Sequence, residues 1–168
     1  VNTWPEAEIV RILRDNADER FALRIARAVI AARPIATTVE LAEAVAGAIP
    51  APARRRGGHP AKRAFQALRI AVNSELEILP DALDTAIRNT KSGGRVAVLS
   101  YHSGEDRIVK ERFRHHTTGG CTCPATLPCV CGATPSVRLV RVSSKPSAVE
   151  MDRNPRSTSA RLRVAEVV

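Results

Sequence analysis

The sequence predicts an α/β fold in which a helical region precedes part of a sheet. Apolar residues recur at helical spacing through residues 1–79. Residues 95–100, RVAVLS, form a nearly continuous apolar run, which is typical of a parallel strand buried on both faces. Two more strands are predicted over residues 137–142 and 160–167. We therefore expect a helical domain over residues 1–79 and a sheet-containing domain over residues 80–168.

The helical domain is predicted from capping and periodicity. Capping boxes are expected at Thr3–Glu6 and Thr37–Glu40, and a helix over residues 19–33 lies between them. The longest amphipathic helix is expected within residues 57–79. Its apolar stripe is formed by Phe65, Leu68, Val72, Leu76 and Leu79, and its polar face by Lys62, Gln66, Arg69 and Asn73.

The second domain is predicted to alternate helices with strands. Helices are expected over residues 81–90 and 105–115, on either side of the strand at 95–100. One parallel strand with a terminal strand pair cannot bury itself, because parallel strands need neighbours joined by crossovers. We therefore expect further strands of the sheet to come from sequence that precedes Val1.

The chain is strongly basic. Its 168 residues include 26 lysines and arginines against 17 acids, which gives a formal charge of +9 and a pI near 10.4. Such a balance favours nucleic acid or another anionic surface as the partner. No apolar run approaches the length of a membrane span and no signal peptide is recognisable, so we expect a cytoplasmic protein without a membrane partner.

Several cations and amides are candidates for contacts with a polyanion such as a nucleic acid. Three arginines stand together in a loop flanked by proline and glycine, and the helix that follows adds more polar groups. The candidates are Arg54, Arg55, Arg56, His59, Lys62, Arg63, Gln66 and Arg69, joined from the last loop by Arg156 and Ser157. A solvated basic face is an equally good interpretation of the helix, and a capping role is an equally good one for Asn154 and Ser157.

Three long blocks of the sequence resemble the MraW family. They are GGHPAKRAFQALRIAVNSEL, GGRVAVLSYHSGEDRIVKERF and NPRSTSARLRVAE, in the order in which the family has them. The resemblance implies a Rossmann-like class I methyltransferase that uses S-adenosylmethionine to methylate N4 of a cytidine in 16S ribosomal RNA. It covers only the family's later half, with residues 1–79 as a substrate-recognition insert. The implied partners are 16S rRNA or the small ribosomal subunit and the missing N-terminal half, and a homodimer is compatible with it.

The cofactor motifs of such an enzyme are not found in this sequence. None of the glycine pairs at 57–58, 93–94 and 119–120 extends to a dinucleotide-type glycine-rich turn. We therefore assign no cofactor-binding residue and expect the chain alone to bind no S-adenosylmethionine.

The turn after the strand at 95–100 is the candidate catalytic region, because open α/β sheets place ligands at the carboxyl ends of their strands. His102, Ser103 and Asp106 are the candidate residues, and His102 or Asp106 would accept a proton. Glu105 and Asp106 also suit the first turn of a helix, which is the structural alternative. Matching family members usually read Phe-His-Ser-Leu-Glu-Asp, whereas this chain has Tyr101 and Gly104.

Four cysteines fall within eleven residues in a loop at 117–136. Cys121, Cys123, Cys129 and Cys131 could hold zinc tetrahedrally, although structural sites usually have at least two residues inside each pair. Reduced thiols without a metal are the other interpretation, since disulfides are disfavoured in the cytoplasm. His115 and His116 are close enough in sequence to compete as ligands.

Two other functions compete with rRNA methylation. A non-catalytic basic RNA- or DNA-binding module would explain the charge, and a structural protein held by a zinc loop would explain the cysteines. The strand and turn at residues 95–103 favour the methyltransferase, because a free-standing helical binder has no use for them.

Overall fold

The computed structural model describes residues 1–55, 58–124, 126 and 130–168. The chain divides into two compact units, Val1–Glu75 and Leu76–Val168. In chain order the elements are α1 (Glu6–Ala17), α2 (Ala22–Ala31), α3 (Thr38–Ala48), α4 (Ala51–Arg54), α5 (Lys62–Asn73), α6 (Glu75–Arg88), β1 (Arg95–Ser100), α7 (Ser103–Thr117), β2 (Val137–Val140), α8 (Ala148–Arg153), a 3-10 turn (Pro155–Ser159) and β3 (Arg161–Val167). No helix in the described part of the chain is long and apolar enough to span a membrane.

The first unit is helical, as the periodicity predicts. Its core is formed by Ile9, Ile12, Leu13, Ile25, Val29, Leu41, Val45 and a set of small residues on α5. α1 packs against both α2 and α5. The contact between α1 and α5 is close because α5 presents Ala64 and Ala67, which are 1% and 0% exposed.

The buried face of α5 differs from the predicted stripe. Leu68 is buried and Phe65 partly buried as expected, but Val72 is 70% exposed and alanines take the inward positions. The prediction placed the large apolar side chains in the core, whereas a close contact between two helices requires small residues at the interface. The single helix predicted over 57–79 is also wrong. Ser74 adopts a left-handed conformation (φ 51°) and ends α5, after which α6 begins at Glu75 and contains Pro80.

The two predicted capping boxes have different outcomes. At Thr37 the box is confirmed: the Glu40 amide donates to Thr37 Oγ1 at 3.2 Å, and Glu40 Oε2 accepts from the Thr37 amide. The box at Thr3 is wrong, because α1 begins after Pro5 without a side-chain cap. The helix predicted over 19–33 is shorter, since Glu19 accepts the Phe21 amide in a turn that precedes α2.

The second unit contains an antiparallel three-stranded sheet in the order β1-β3-β2. Arg95 to Ser100 pair with Glu166 to Arg161, and Val137 to Val140 pair with Val167 to Val164. Among the described residues, the prediction of a parallel strand buried on both faces is therefore wrong for β1. Val96 and Ser100 are buried while Ala97 and Leu99 are exposed. An apolar run does not reveal strand direction, nor which face a neighbour covers.

The core of the second unit lies between the helices and one face of the sheet. It is formed by Leu83 and Ile87 of α6, Val109 and Phe113 of α7, and Val96, Val137 and Ala165 of the strands. α7 packs against all three strands. This packing fixes the turn between β1 and α7, where the candidate catalytic residues lie.

Candidate functional site

A cationic cavity of about 400 Å³ lies in the first unit, between the start of α2 and the start of α5. Its lining includes Arg20, His59, Lys62 and Arg63, and its only acid among the described residues is Glu19. Glu19 is buried, and its carboxylate accepts the Phe21 amide at 2.9 Å. Arg20, Lys62 and Arg63 are exposed, so the rim of the cavity carries positive charge into solvent.

The two cations at the start of α5 are not placed to stabilise the helix. Lys62 and Arg63 occupy its first turn, which contains no acid. The amino end of a helix carries partial positive charge, so cations there are unfavourable and an anion is favoured. His59 fixes the entry to the helix, because its Nδ1 accepts the Ala61 amide at 3.2 Å. This arrangement suits a phosphate oxygen.

The remaining predicted RNA contacts of this unit have several environments. Arg54 ends α4 and Arg55 follows it, both exposed, whereas Arg56 lies outside the described residues. Gln66 is half-buried on α5. Arg69 forms a bidentate ion pair with Glu75, with N–O distances of 2.9 and 3.0 Å, so its charge is compensated locally.

Sequence reasoning missed Arg20 as a site residue. It precedes α2 and lines the same cavity as Lys62, more than 40 positions away in sequence. Its guanidinium lies 5.8 Å from the centre of the Phe21 ring. The only signal in the sequence is a cation beside an aromatic residue, which is too common to identify a site.

The turn after β1 is held by a reciprocal cap. His102 Nδ1 accepts the Glu105 amide at 3.3 Å, while Glu105 Oε2 accepts the amides of Tyr101 and His102 at 2.7 and 3.2 Å. Because Nδ1 accepts, the neutral ring carries its proton on Nε2. That Nε2 is buried and forms no hydrogen bond with a described residue, although Glu105 Oε1 lies 3.3 Å away. His102 is therefore arranged as a donor.

The departure from the family pattern at Gly104 has a local cause. A Cβ added there would lie 3.2 Å from His102 Nδ1 and 3.3 Å from Leu76 Cδ1. A leucine at this position would require Leu76 to move. The glycine therefore lets α6 and the capped turn approach each other.

Asp106 is engaged in a structural ion pair. Arg163 on β3 donates to both of its carboxylate oxygens, at 2.7 and 2.9 Å. The Arg163 hydrogen bond holds the pKa of Asp106 below its ordinary value, against a smaller opposing effect of burial. Ser103, in contrast, is exposed at the start of α7. Of the three candidate catalytic residues, Asp106 is thus the one whose charge is paired with an arginine.

The last loop places its two candidate residues differently. Asn154 Oδ1 accepts the Arg156 amide at 3.2 Å, which is the capping role considered as the alternative. Arg156 is exposed. Ser157 is buried, and its hydroxyl has no hydrogen-bond partner among the described residues.

Three of the four cysteines converge. The sulfur atoms of Cys121, Cys123 and Cys131 lie within 4.8 Å of one another, and Cys129 lies outside the described residues. His116 does not join them: its Nδ1 contacts Ser136 Oγ at 2.7 Å, and its Nε2 contacts Asp84 Oδ1 at 2.9 Å.

Asp84 is the centre of a hydrogen-bond network that the sequence did not reveal. It accepts hydrogen bonds from Arg112 and from His116 Nε2. The Arg112 hydrogen bond is the largest of the effects that hold the pKa of Asp84 well below its usual range. The network joins α6 to α7 and, through Ser136, to the approach to β2. The network has a structural role, and the spacing of its residues in the sequence does not reveal it.

Comparison with known proteins identifies the family. The MraW methylase family model matches residues 1–168. Ribosomal RNA small subunit methyltransferase H of Paenibacillus sp. (strain JDR-2) is 54% identical over 99% of this chain and 54% of its own length. The proteins of the same name from Symbiobacterium thermophilum and Mycobacterium sp. (strain KMS) are 51% and 50% identical, over 97% and 100% of this chain and 52% and 45% of their own lengths. The chain spans about half the length of the curated relatives it matches, and it belongs to the MraW methylase family.

Proposed function

We propose that this chain supplies the RNA-recognition region and the C-terminal part of an S-adenosylmethionine-dependent methyltransferase that modifies N4 of a cytidine in 16S rRNA. The observation that carries the proposal is the family match over residues 1–168, together with relatives at about 50% identity that all bear the name of an rRNA methyltransferase. The cationic cavity of the first unit supports an RNA substrate.

We assign no described residue to the cofactor. β1 is followed by Tyr101, His102 and Ser103 rather than by a glycine-rich turn, and the described glycines with positive φ lie elsewhere, at 93, 119, 120 and 132. We therefore derive no step through S-adenosylmethionine. In our proposal the rest of the complete enzyme binds it.

RNA binding is assigned to the exposed cations of the first unit. Arg20, Lys62 and Arg63 border the cavity, and Arg54 and Arg55 precede it in the chain. Phosphate contacts of this kind position an RNA without reading its sequence. The half-buried Gln66 and the ring of His59 are the groups suited to a base edge, because each has directional hydrogen-bonding atoms.

The turn after β1 is assigned to the target nucleotide. Methylation of an exocyclic amine requires that the amine be held in position and that a proton leave it. His102 uses Nδ1 in the cap and its Nε2 is buried, so the exposed Ser103 beside it is the group of this turn that we assign to contact the amine. Asp106 is ion-paired and of low pKa, so we assign it the role of fixing the turn rather than of accepting the proton.

A chimera tests the proposal. The chain replaces the matching segment of the Paenibacillus relative, which is 54% identical to it over 99% of the chain. The chimera should transfer labelled methyl groups from S-adenosylmethionine to 16S rRNA in small ribosomal subunits, and the isolated chain should not. A chimera that folds and binds the cofactor but never labels RNA would contradict the proposal. RNA binding without labelling would favour the non-catalytic basic module.

A further inference from the structure

The loop between α7 and β2, residues 118–136, is hereafter called the cysteine loop, and it is closed at its base. The Ser136 amide donates to the His116 carbonyl at 3.0 Å, and the Gly120 amide donates to the His115 carbonyl at 2.9 Å. The two legs also touch: a Cβ built on Gly119 would lie 2.3 Å from the carbonyl oxygen of Thr134. The two ends of the loop are therefore in contact where the chain leaves α7 and where it returns to β2. We call this contact region, Gly119 with Thr134 and His116 with Ser136, the neck.

Beyond this neck, the described residues of the loop are not held by apolar packing. None of its described residues is buried, and Val130 is 90% exposed. The nearest core residues, Phe113 and Val137, lie outside its two ends. Because burial of apolar surface supplies most of the free energy that orders a chain, the described part of the loop gains little order from apolar contacts.

The geometry of the three described thiols suits a metal. Their sulfur atoms lie within 4.8 Å of one another. Zinc–sulfur bonds of about 2.3 Å in a tetrahedron place neighbouring sulfur atoms ~3.8 Å apart, so only a small contraction is needed. The chain has four cysteines in all, and all of them lie between 121 and 131. The fourth, Cys129, lies outside the described residues, and the sequence places it two positions before Cys131.

We propose that Cys121, Cys123 and Cys131 bind a zinc ion. Structural zinc sites are tetrahedral and are built mainly from thiolates, and the three sulfur atoms supply three of the four positions. His116 is not a ligand, because both of its ring nitrogens are engaged by Ser136 and Asp84. The ion orders the cysteine loop, whereas the core around Val109 and Phe113 does not depend on it.

Metal analysis is the first test. The 168-residue chain and the chimera are each purified without chelator, and about one zinc per chain is expected. Cobalt(II) in place of zinc should give the intense visible bands of tetrahedral thiolate coordination. Replacing Cys121, Cys123 or Cys131 by serine should weaken zinc binding by more than the ~10–100-fold that follows when a residue hydrogen-bonded to a metal ligand is lost.

Two exposed residues within the cysteine pairs provide matched controls. Thr122→Ala changes the residue between Cys121 and Cys123, and Val130→Ala changes the residue before Cys131. Both variants should keep about one zinc and the cobalt spectrum. His115→Ala should keep them too, since we assign no ligand role to that ring.

Hydrogen exchange provides a readout that is independent of activity. Removing zinc with a chelator should speed exchange of amides in the cysteine loop and leave those of α7 and β2 unchanged. The serine variants should exchange at the fast rate without chelator. Using both the chain and the chimera keeps the test valid if one of them folds poorly.

Several results would overturn the proposal. They are a zinc-free chain and chimera, iron in place of zinc, a disulfide found by mass under non-reducing conditions, and full zinc retention by the serine variants of Cys121, Cys123 and Cys131.

Discussion

Asp106 in the first turn of α7 and Arg163 on β3 form a bidentate ion pair within the second unit, with N–O distances of 2.7 and 2.9 Å. The pair joins the turn that carries His102 to the central strand of the sheet. A carboxylate held in this way is a poor proton acceptor, since the arginine stabilises its charged form. The ion pair favours a role for Asp106 as an anchor of this turn over that of proton acceptor.

Removing this anchor should reduce stability rather than act on chemistry alone. Asp106→Ala and Arg163→Ala should each destabilise the chain, and the double variant should be less destabilised than their sum by about 1 kcal/mol. Both side chains are partly exposed, which limits the coupling. Chemical denaturation of the four proteins measures the cycle. A coupling near zero, with methyl transfer abolished in the Asp106→Ala chimera, would restore the acceptor role.

The second unit should lose stability in acid. The pKa values of Asp84, Asp106 and Glu166 are lowered, chiefly by hydrogen bonds from Arg112, Arg163 and Arg138 respectively. A lowered folded-state pKa contributes stability that is present above the unfolded value, 3.8 for aspartate and 4.5 for glutamate, and is lost as the pH falls toward the folded value. Melting temperatures should therefore be level above about pH 5 and fall below about pH 4.

The acid effect can be assigned with one variant and one control. Asp84→Asn should melt lower at neutral pH and lose less on acidification, while Asp152→Asn at an exposed position should follow the parent chain. Chelator at every pH removes any contribution from metal release. Parallel curves for Asp84→Asn and the parent would show that the Asp84 network contributes nothing.

The cationic cavity should determine how RNA binding depends on salt. Replacing Lys62 and Arg63 by alanine in the chimera should reduce the log–log slope of 16S rRNA affinity against salt by about 1.4–1.8, if each contacts one phosphate. Filter binding over a range of salt concentrations measures the slope.

A charge-matched control is available within the same unit. Arg11 and Arg27 lie near Glu8 and Glu6 on α1, with N–O distances of 2.6 and 3.4 Å. Replacing both by alanine removes the same charge as the cavity variant but should leave the slope nearly unchanged. Equal slopes for the two double variants would mean that only net charge matters.

Two glycines of the cysteine loop should tolerate replacement by alanine to different degrees. Gly119 and Gly132 have φ values of +61° and +67°, so alanine is strained by roughly 1–2 kcal/mol at either position. Only Gly119→Ala would also meet the Thr134 backbone, since Gly132 has nothing within 4 Å. Gly119→Ala should therefore lower the melting temperature further and speed exchange in the loop. Equal effects would contradict the close approach at the neck.

Local patterns predicted part of this fold. The helical period predicted the helical first unit, and a capping box located the start of α3, because both depend on neighbours within one or two turns. The α5 face was misjudged because its packing rests on small alanines. The antiparallel order of the sheet depends on β3, more than sixty residues after β1, and no local pattern encodes it.

In the candidate site, too, the features that are local in sequence were predicted and those that join distant residues were not. Clustering of cysteines in sequence predicted a convergence that the structure has for three of them. The pairing of Asp106 with Arg163 and of Asp84 with His116 joins residues 57 and 32 positions apart. Such pairs have no spacing rule, so they appear only once the elements are packed. The roles of His102, Ser103 and the cavity cations remain predictions.

The most direct measurement is nucleoside analysis of 16S rRNA treated with the chimera. Digestion and mass spectrometry should find one additional N4-methylated cytidine per rRNA, absent when the isolated chain replaces the chimera. Lys62→Ala/Arg63→Ala in the chimera should lower its yield at limiting RNA without moving the methyl group. A methyl group on another atom, or none from a folded chimera that binds the cofactor, would contradict the account.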